Sequence, residues 1–365
     1  MGWLFFSAAL FCLLYLVLVS IFIIGWRSIT GFVPKGDEVN HTKISVIVTC
    51  KNEENHIRHL ISCLAQQSIQ NFELIIVNDH SNDATRNYIK AAQISYPKIT
   101  LIDALGSGKK NGMKEGIHYS AGELIITTDA DCIPSYHWVE SIACFYEKYK
   151  SDLIICPVKL SGKDSLFSNL QMMEFTSLIA SGAGAAGAGM PVLCNGANLA
   201  FTKKSWLKSQ NDLHEEEMSG DDMFLLESIK KRGGEIRFLK SESAFVTTET
   251  SDTWLSFINQ RRRWTSKSKA YTDWQIILTA FIILTINLLM ISLMALSFFN
   301  LEALTVWVGI FLFKYVLDSL FLYNVRNFFQ LNTIWIYSFI LSVIYPFYIV
   351  FIAFSTLLIK PLKWK

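Results

Sequence analysis

Long apolar stretches at both ends of the chain set the strongest limit on its fold. Residues 3–25 carry no charge, and three further apolar stretches cover roughly residues 275–299, 303–323 and 333–358. A helix of about 20 apolar residues crosses the ~30 Å hydrocarbon core of a bilayer. Hydrophobic residues make up 51% of the 365 residues and mean hydropathy is +0.31, which is too apolar for an ordinary soluble protein. We therefore expect one membrane helix before a polar middle region and three after it.

The flanks of the first stretch predict its orientation. No basic region precedes it and Trp26-Arg27 follows it, so it does not resemble a cleaved signal peptide. Arg27, Lys35 and Lys43 lie on its C-terminal side, and the positive-inside rule then places the middle region in the cytoplasm of a multi-pass cell-membrane protein. Four spans would leave the basic residues of 360–365 outside, against that rule. One C-terminal segment could therefore be interfacial or re-entrant, or the loops could outweigh the tail.

Charge and cysteine content exclude two classes of function. The formal net charge is +2, so no nucleic-acid partner is expected. Seven cysteines are scattered without CxxC spacing or clustered histidines, which argues against structural zinc and for reduced thiols in a cytosol-facing domain.

The middle region alternates short β-branched runs with helical patterns, which is typical of an α/β fold built on a mostly parallel sheet. We predict a membrane helix over 1–27, a cytoplasmic domain over 43–252, an amphipathic interfacial helix over 253–274 and membrane helices over 275–358. Predicted strands cover residues 44–48, 74–77, 99–102, 124–126 and 153–158, and predicted helices cover 56–67, 83–89, 138–149 and 223–231.

Two carboxylates follow one of the buried strands. Asp129 and Asp131 come just after the run 124–126, at the carboxyl end where open α/β sheets bind ligands. Paired hard oxygen ligands suit Mg²⁺ or Mn²⁺, which complete their shells with waters and substrate phosphates. Acidic pairs also cap helices and close turns, so the pair alone does not decide between the two roles.

Three other segments leave alternatives open. Residues 181–189 are all Ser, Gly or Ala, which suits either a substrate-side loop or a plain flexible one. Residues 254–264 resemble a helix lying in the membrane interface. Lys314 and Asp318 stand four residues apart inside a predicted span, where they would form either an ion pair or a functional site.

Charged clusters stand in order after consecutive strands, and this ordered set resembles the family 2 glycosyltransferases, which are inverting enzymes of GT-A type. The resemblance covers residues 43–265 and extends loosely to the spans. It implies that Thr49, Asn52, Glu53 and Asp79 hold the nucleoside of a UDP- or GDP-sugar. Asn52 and Glu53 could equally cap the helix that follows, and Asp79 could close a turn.

The resemblance also implies roles in phosphate and metal binding. Lys109 of the Gly108-Lys109 pair would approach the donor diphosphate, or be a solvated loop charge. Asp129 and Asp131 would hold the metal ion, and Asp129 would also contact the donor.

The last two motifs imply the catalytic residues. Asp222 matches the catalytic base, with Asp221 as its neighbour. Gln260, Arg263 and Trp264 match the Gln-x-x-Arg-Trp motif, in which Arg stabilises the diphosphate and Trp stacks on the acceptor sugar. The alternative for Arg263 and Trp264 is an anchor at the membrane surface.

The expected function is transfer of a sugar from a nucleotide-sugar to a lipid-linked or glycan acceptor at the cytoplasmic membrane face. A polyprenyl-phosphate glycosyltransferase and a processive polysaccharide synthase are alternatives within the family. Outside it, the rivals are a transport or channel protein that only binds nucleotide-sugar, and an inactive scaffold. Because mere binding needs neither an acid in the base position nor the Gln-x-x-Arg-Trp motif, the sequence favours the enzyme.

Overall fold

The structure is a computed structural model that describes residues 2–35, 42–214, 220–331 and 334–358. These residues form two compact units. One, the α/β unit, comprises the described residues within 29–161 and 193–249. The other, the helical unit, comprises the described residues within 2–28, 162–192 and 250–358.

The α/β unit contains strands β1 (Ile44–Cys50), β2 (Glu73–Asn78), β3 (Ile99–Asp103), β4 (Leu124–Asp129), β5 (Ile133–Pro134), β6 (Leu153–Ile155), β7 (Val158–Ser161), β8 (Leu199–Thr202), β9 (Ile236–Phe238) and β10 (Val246–Glu249). The helices, in chain order through both units, are α1 (Gly2–Ser28), α2 (Ile57–Ala65), α3 (Thr85–Ser95), α4 (Lys109–Tyr119), α5 (Trp138–Tyr149), α6 (Leu166–Gly187), α7 (Lys203–Ser209), α8 (Asp221–Lys231), α9 (Trp254–Ser266), α10 (Trp274–Ser297), α11 (Leu301–Phe329) and α12 (Ile334–Leu358).

A mostly parallel seven-stranded sheet, in the order β3-β2-β1-β4-β8-β6-β9, forms the centre of the α/β unit. β1 pairs in parallel with β2 and β4, and β8 runs antiparallel between β4 and β6. Every residue of β1 is buried, as expected for a strand covered on both faces. This arrangement confirms the predicted fold class and brings the carboxyl ends of β1, β2 and β4 to one edge.

The rest of the α/β unit follows the apolar patterns of the sequence. α2 buries Ile57, Leu60, Ile61 and Leu64 on one face, as their helical spacing predicts. The predicted strand over 153–158 is instead two short strands, β6 and β7, which belong to different sheets. β7 joins β5 and β10 in a three-stranded sheet. Because each of these strands is only two to four residues long, the sequence pattern does not separate them.

Four helices of the helical unit are long and apolar enough to cross a membrane: Phe6–Ser28, Trp274–Ser297, Leu301–Phe329 and Ile336–Thr356. They agree with the four predicted spans. The chain is therefore a multi-pass membrane protein by the length and composition of these helices. Its terminal residues 360–365, on which the orientation argument partly rests, lie outside the described residues.

The small-residue segment 181–189 is not the loop that its composition suggested. Residues 181–187 complete the 22-residue helix α6, and its glycines pack against α1. A Cβ added to Gly184 would lie 2.4 Å from the backbone oxygen of Phe22, and one added to Gly25 would collide with the Gly184 backbone. Small residues let two helix backbones approach closely, and that close packing is the reason for this composition.

Residues 162–192, which fall inside the range 43–252 predicted as the cytoplasmic domain, group with the helical unit. The predicted domain bounds stay a prediction. In the helical unit, Lys314 and Asp318 form an ion pair with a 2.5 Å N–O distance, and the Tyr15 hydroxyl donates to the other Asp318 oxygen at 2.5 Å. The expected ion-pair geometry is confirmed.

Candidate active site

The loops after β1 and β2 hold each other in place. Asn52 has a φ of 54°, in a region that non-glycine residues seldom occupy outside functional sites. Its side-chain oxygen accepts the backbone N–H of Asn82 at 2.9 Å, and its own N–H donates to Ser81 Oγ at 3.0 Å. Glu53 binds His56 at 2.9 Å through its side chain. Asn52 therefore fixes the neighbouring loop instead of capping α2.

Asp79 is the fully buried acid of this edge. Its Oδ2 accepts the backbone N–H of Gly108 at 3.0 Å and lies 3.6 Å from Lys51 Nζ, while His80 Nδ1 is 3.0 Å from Oδ1. Gly108 has a φ of 98°, a conformation that favours glycine. Asp79 thus orders the turn from which α4 and Lys109 begin.

Thr49 is packed under α4 and not open to solvent. It is 7% exposed, and a Cβ added to Gly112 would lie 2.4 Å from its methyl group. A larger residue than glycine at 112 would push α4 away from the end of β1. The expected donor contact of Thr49 stays a prediction, and the described packing gives this side chain a structural role as well.

Lys109 gathers the acids of the site around one ammonium group. Its Nζ donates to Asp129 Oδ1, in a contact where both side chains are partly open to solvent. Desolvation by itself would lower the pKa of Lys109, but Asp129, Asp222 and Asp131 together raise it. The structure therefore places the predicted metal pair and the predicted base within the electrostatic reach of one lysine.

The Asp129 and Asp131 carboxylates fit a divalent cation. Desolvation in the cleft and the charge of Asp129 raise the pKa of Asp131, although its surface is exposed. Two acids that repel each other at the end of a strand would be relieved by a bound cation. Among the described residues no group of three or more His, Cys, Asp or Glu could hold a metal ion. A cation here would complete its shell with waters and phosphate oxygens, as Mg²⁺ and Mn²⁺ do.

Asp222 lies in the first turn of α8, and both of its oxygens accept backbone N–H groups. Oδ2 is 3.1 Å from the N–H of Gly196, and Oδ1 is 2.8 Å from that of Met223. These bonds fix the direction of the carboxylate. Asp221 beside it is buried, and burial together with Asp222 raises its pKa.

Lys110 has a larger role than its sequence position suggested. Its Nζ donates to the carbonyl oxygens of Leu213 at 2.5 Å and His214 at 2.7 Å, and lies 3.2 Å from Asp221 Oδ1. Lys110 thereby ties the chain before α8 to the first residue of α8. The sequence showed only a second lysine beside Lys109, because backbone acceptors leave no trace in residue types.

Asn198 is a second residue that sequence reasoning missed. It is fully buried and donates to the carbonyl oxygens of Pro157 at 2.7 Å and Ala244 at 2.9 Å, while Trp138 Nε1 donates to its Oδ1 at 2.8 Å. These bonds anchor the segment that carries Gly196, the partner of Asp222. The only signal in the sequence was an asparagine near Gly196 and Ala197.

The residues of the Gln-x-x-Arg-Trp motif lie on α9, in the helical unit. α9 begins with a capping box in which Thr253 Oγ1 accepts the Ser256 N–H at 3.2 Å. Gln260, Arg263 and Trp264 are spaced three and four residues apart, so they share one face of α9, and each is half-buried. The structure thus groups the donor and metal residues in one unit and these three in the other, and the roles of all of them stay predictions.

Comparisons with known proteins agree on the family. Residues 45–208 match the family described as Glycosyl transferase family 2. An uncharacterized glycosyltransferase of Haemophilus influenzae is 31% identical over 106 residues, which are 29% of this chain and 33% of that protein. The poly-beta-1,6-N-acetyl-D-glucosamine synthase of Staphylococcus aureus is 26% identical over 178 residues, 46% of this chain and 42% of that protein. The alignments thus span between a third and about two fifths of these relatives.

A solved structure shares the fold over nearly the whole chain. The mannosyltransferase PcManGT from Pyrobaculum calidifontis, in complex with GDP-Man and Mn²⁺, has a TM-score of 0.56 and 14% identity, covering 97% of this chain and 96% of that one. At 14% identity this likeness shows a shared fold alone. Residues 45–208 thus resemble glycosyl transferase family 2 in sequence, and the chain has a GT-A-like α/β unit and, among its described residues, four helices able to cross a membrane.

Proposed function

We propose that the chain transfers a sugar, with inversion, from a UDP- or GDP-sugar to a lipid-linked or glycan acceptor at the cytoplasmic face of the membrane. The observation that carries the proposal is the Lys109 ammonium, which donates to Asp129 and whose pKa is raised by the nearby charges of Asp129, Asp222 and Asp131. The family match over residues 45–208 and the GDP-Man bound to the mannosyltransferase PcManGT support the same reaction. The membrane helices support an acceptor carried by a lipid.

In this proposal the α/β unit binds and orients the donor. Asn52 and Glu53 would contact the nucleoside from a loop that is already ordered, which reduces the entropy lost on binding. Asp79 would act largely by ordering the turn before Lys109. Lys109 would move from Asp129 to the donor diphosphate, where its charge stabilises the leaving group. Mg²⁺ or Mn²⁺ on Asp129 and Asp131 would supply Lewis-acid neutralisation of the diphosphate.

Asp222 would act as the general base. As the acceptor hydroxyl oxygen forms its bond to the anomeric carbon, Asp222 takes the hydroxyl proton. The bond from that carbon to the diphosphate oxygen breaks, and its electron pair leaves with the nucleoside diphosphate. Such proton transfer typically contributes about 10²–10⁴ in rate.

Residues of α9 would complete the acceptor side of the reaction. Arg263 would bind diphosphate oxygens, for which a guanidinium offers two parallel donors. Trp264 would offer a flat apolar face to the acceptor sugar, and Gln260 would donate hydrogen bonds beside them. These roles follow from the motif.

A processive synthase or a polyprenyl-phosphate glycosyltransferase is the second candidate. The name of the Staphylococcus aureus relative, a polymer synthase, favours the first of these. The transport or channel alternative, in which the cytoplasmic domain only binds a nucleotide-sugar as a signal, predicts donor binding without turnover.

The test is a donor panel with detergent-purified protein. UDP- and GDP-sugars are supplied with and without Mn²⁺, together with polyprenyl phosphate, lipid-linked sugar and oligosaccharide acceptors. We expect one donor to release nucleotide in a metal-dependent manner. Asp222→Asn should lower this turnover by about 10²–10⁴ while donor binding persists.

The matched control is Asp252→Asn, which changes an acid whose side chain is 86% exposed. It should leave turnover unchanged. Donor binding without turnover, with every acceptor, would replace the proposal with the binding-protein alternative. Full activity in folded Asp222→Asn would remove Asp222 from the mechanism.

A further inference from the structure

A buried charged cluster surrounds the residue next to Gln260. Arg261 Nη2 donates to Glu174 Oε2 of α6 at 2.5 Å, and the two side chains are only 4% and 9% exposed. The Tyr348 hydroxyl of α12 donates to the other Glu174 oxygen at 3.3 Å. Buried charges are costly unless they are paired and hydrogen-bonded. Arg261 and Glu174 are paired and both Glu174 oxygens accept hydrogen bonds, although Arg261 Nε has no hydrogen-bond partner among the described residues. The cluster joins α9 to two other helices of its unit.

Arg261 also contacts two residues of the motif directly. Its Nη1 donates to Gln260 Oε1 at 2.9 Å, and its guanidinium lies 4.3 Å from the centre of the Trp264 ring. Phe257, one turn earlier on α9, lies under the same guanidinium at 4.7 Å. One side chain that is not itself part of the Gln-x-x-Arg-Trp pattern therefore holds two that are.

The chemistry of this contact determines how Gln260 meets a ligand. A guanidinium has donors and no acceptor, so it can only face the oxygen of the Gln260 amide. The amide NH₂ is left as the group that Gln260 can offer, and it suits a ligand rich in oxygen acceptors, such as a diphosphate or a sugar. Since one face of Trp264 lies on the guanidinium, only its other face can receive an acceptor ring.

We propose that Arg261 is a positioning residue for the transfer reaction. Glu174 and Tyr348 hold Arg261, and Arg261 orients the Gln260 amide and the Trp264 indole. The inference rests on the proposed roles of Gln260 and Trp264. The alternative is a purely structural ion pair, and replacing buried pairs by apolar residues is often neutral for stability. A variant without charges can therefore separate the two.

The experiment uses the full-length protein with the double change Arg261→Met and Glu174→Leu, which leaves no unpaired charge. Arg261→Lys with Glu174 intact is the conservative variant, because a lysine can neutralise Glu174 but cannot stack its plane on the indole. The matched control removes the exposed pair of the same unit through Lys163→Met and Asp252→Leu, whose side chains are 91% and 86% exposed. Thermal unfolding in detergent shows that each variant folds.

Two readouts then test positioning. Hydroxyl-radical oxidation of Trp264, measured by mass spectrometry without any substrate, should rise in the double variant and stay unchanged in the control. Transfer kcat/KM for the acceptor should fall by about tenfold to 100-fold, as expected when a contact group is displaced, and Arg261→Lys should recover part of it. Adding Gln260→Ala to the double variant should lower kcat/KM little further, because Arg261 acts through Gln260.

Unchanged Trp264 oxidation in the double variant, or raised oxidation with wild-type kcat/KM, would overturn the inference. If the wild-type protein binds donor but never turns it over, the proposed function fails. The oxidation of Trp264 then still decides whether Arg261 holds the motif, so the two failures can be told apart.

Discussion

The two units treat their charged residues in opposite ways. In the α/β unit, the acids of the candidate site lie at the end of β4 and in the first turn of α8 and contact lysines, and the Lys109 and Asp129 side chains are 26% and 34% exposed. In the helical unit, two acids each accept hydrogen bonds from one cation and one tyrosine hydroxyl. Lys314 and Tyr15 occupy Asp318, and Arg261 and Tyr348 occupy Glu174. The first arrangement leaves carboxylates available to a ligand, and the second uses them to join helices.

The largest effect that would sharpen this contrast is expected at Lys314. Lys314→Met would leave Asp318, whose side chain is 25% exposed, without its cation. Losing one partner of a fully buried pair costs about 3–5 kcal/mol, so we expect a cost toward the lower end of that range. We expect a large fall in unfolding temperature in detergent, with turnover per folded molecule unchanged. Lys314→Met combined with Asp318→Leu should recover most of the stability. A normal unfolding temperature for Lys314→Met alone would show that Asp318 is not committed to structure.

The glycine contact between α1 and α6 gives the next largest effect. Gly184→Ala would force the backbones apart, since the new Cβ would meet the Phe22 oxygen at 2.4 Å. Overpacking of this kind costs about 1–3 kcal/mol. The control is Gly309→Ala in α11, where an added Cβ meets nothing within 4 Å. Equal unfolding temperatures for the two variants would contradict the close packing described above.

Lys110→Met tests the other side of the contrast, because it should change catalysis more than stability. Without the tie to Leu213, His214 and Asp221, the start of α8 is less well fixed, and we expect about a tenfold loss in kcat. Asp221 would also lose the charge that opposes the rise in its pKa. An acid with a raised pKa destabilises the fold when ionised, so the stability loss should shrink as pH falls through that pKa. A loss of stability that is constant with pH would exclude the Asp221 contact as its source.

The smallest effect is expected at the exposed pair of Arg86 and Asp103. Hydrogen bonds from Arg86, together with one from Asn78, lower the pKa of Asp103 from 3.8 to about 2. The stability from a lowered carboxyl pKa is present above pH 4 and disappears as pH falls through about 2. Since the pair is 40% and 49% exposed, Arg86→Met should shift the unfolding temperature at pH 7 by at most about 2 °C. Unfolding curves of Arg86→Met and the wild-type protein across pH check this prediction. A large shift in unfolding temperature would mean that solvent screens the pair less than its exposure implies.

The sequence predicted those parts of the fold in which local pattern and tertiary burial agree. β1, β2 and β4 are continuous β-branched runs, and α5 begins and ends where its pattern predicts. The segment 181–189 was misread because small residues serve both mobile loops and tight helix contacts, and only the partner α1 distinguishes them. The short strands β7 and β10 depend on pairing partners far along the chain.

The candidate site divides in the same way. Acids at strand ends were predictable because chain order places them there. The contributions of Asn198 and Lys110 depend on backbone carbonyls, which any residue type supplies. Arg261 and Arg263 are identical in type and two residues apart, and only the burial beside Glu174 separates them.

The contact between α1 and α6 also has a consequence during synthesis of the protein. Ser28 and Gly187, which meet at the end of this contact, are 159 residues apart in the chain. At the usual elongation rate of 5–20 residues per second, α1 exists for about 10–30 s before its partner has been made. Throughout that time the surface of α1 around Gly25 is exposed to lipids, to the insertion machinery and to other newly made helices. The contact between α1 and α6 therefore cannot form until translation has passed the middle of the chain, whichever part of the α/β unit has folded by then.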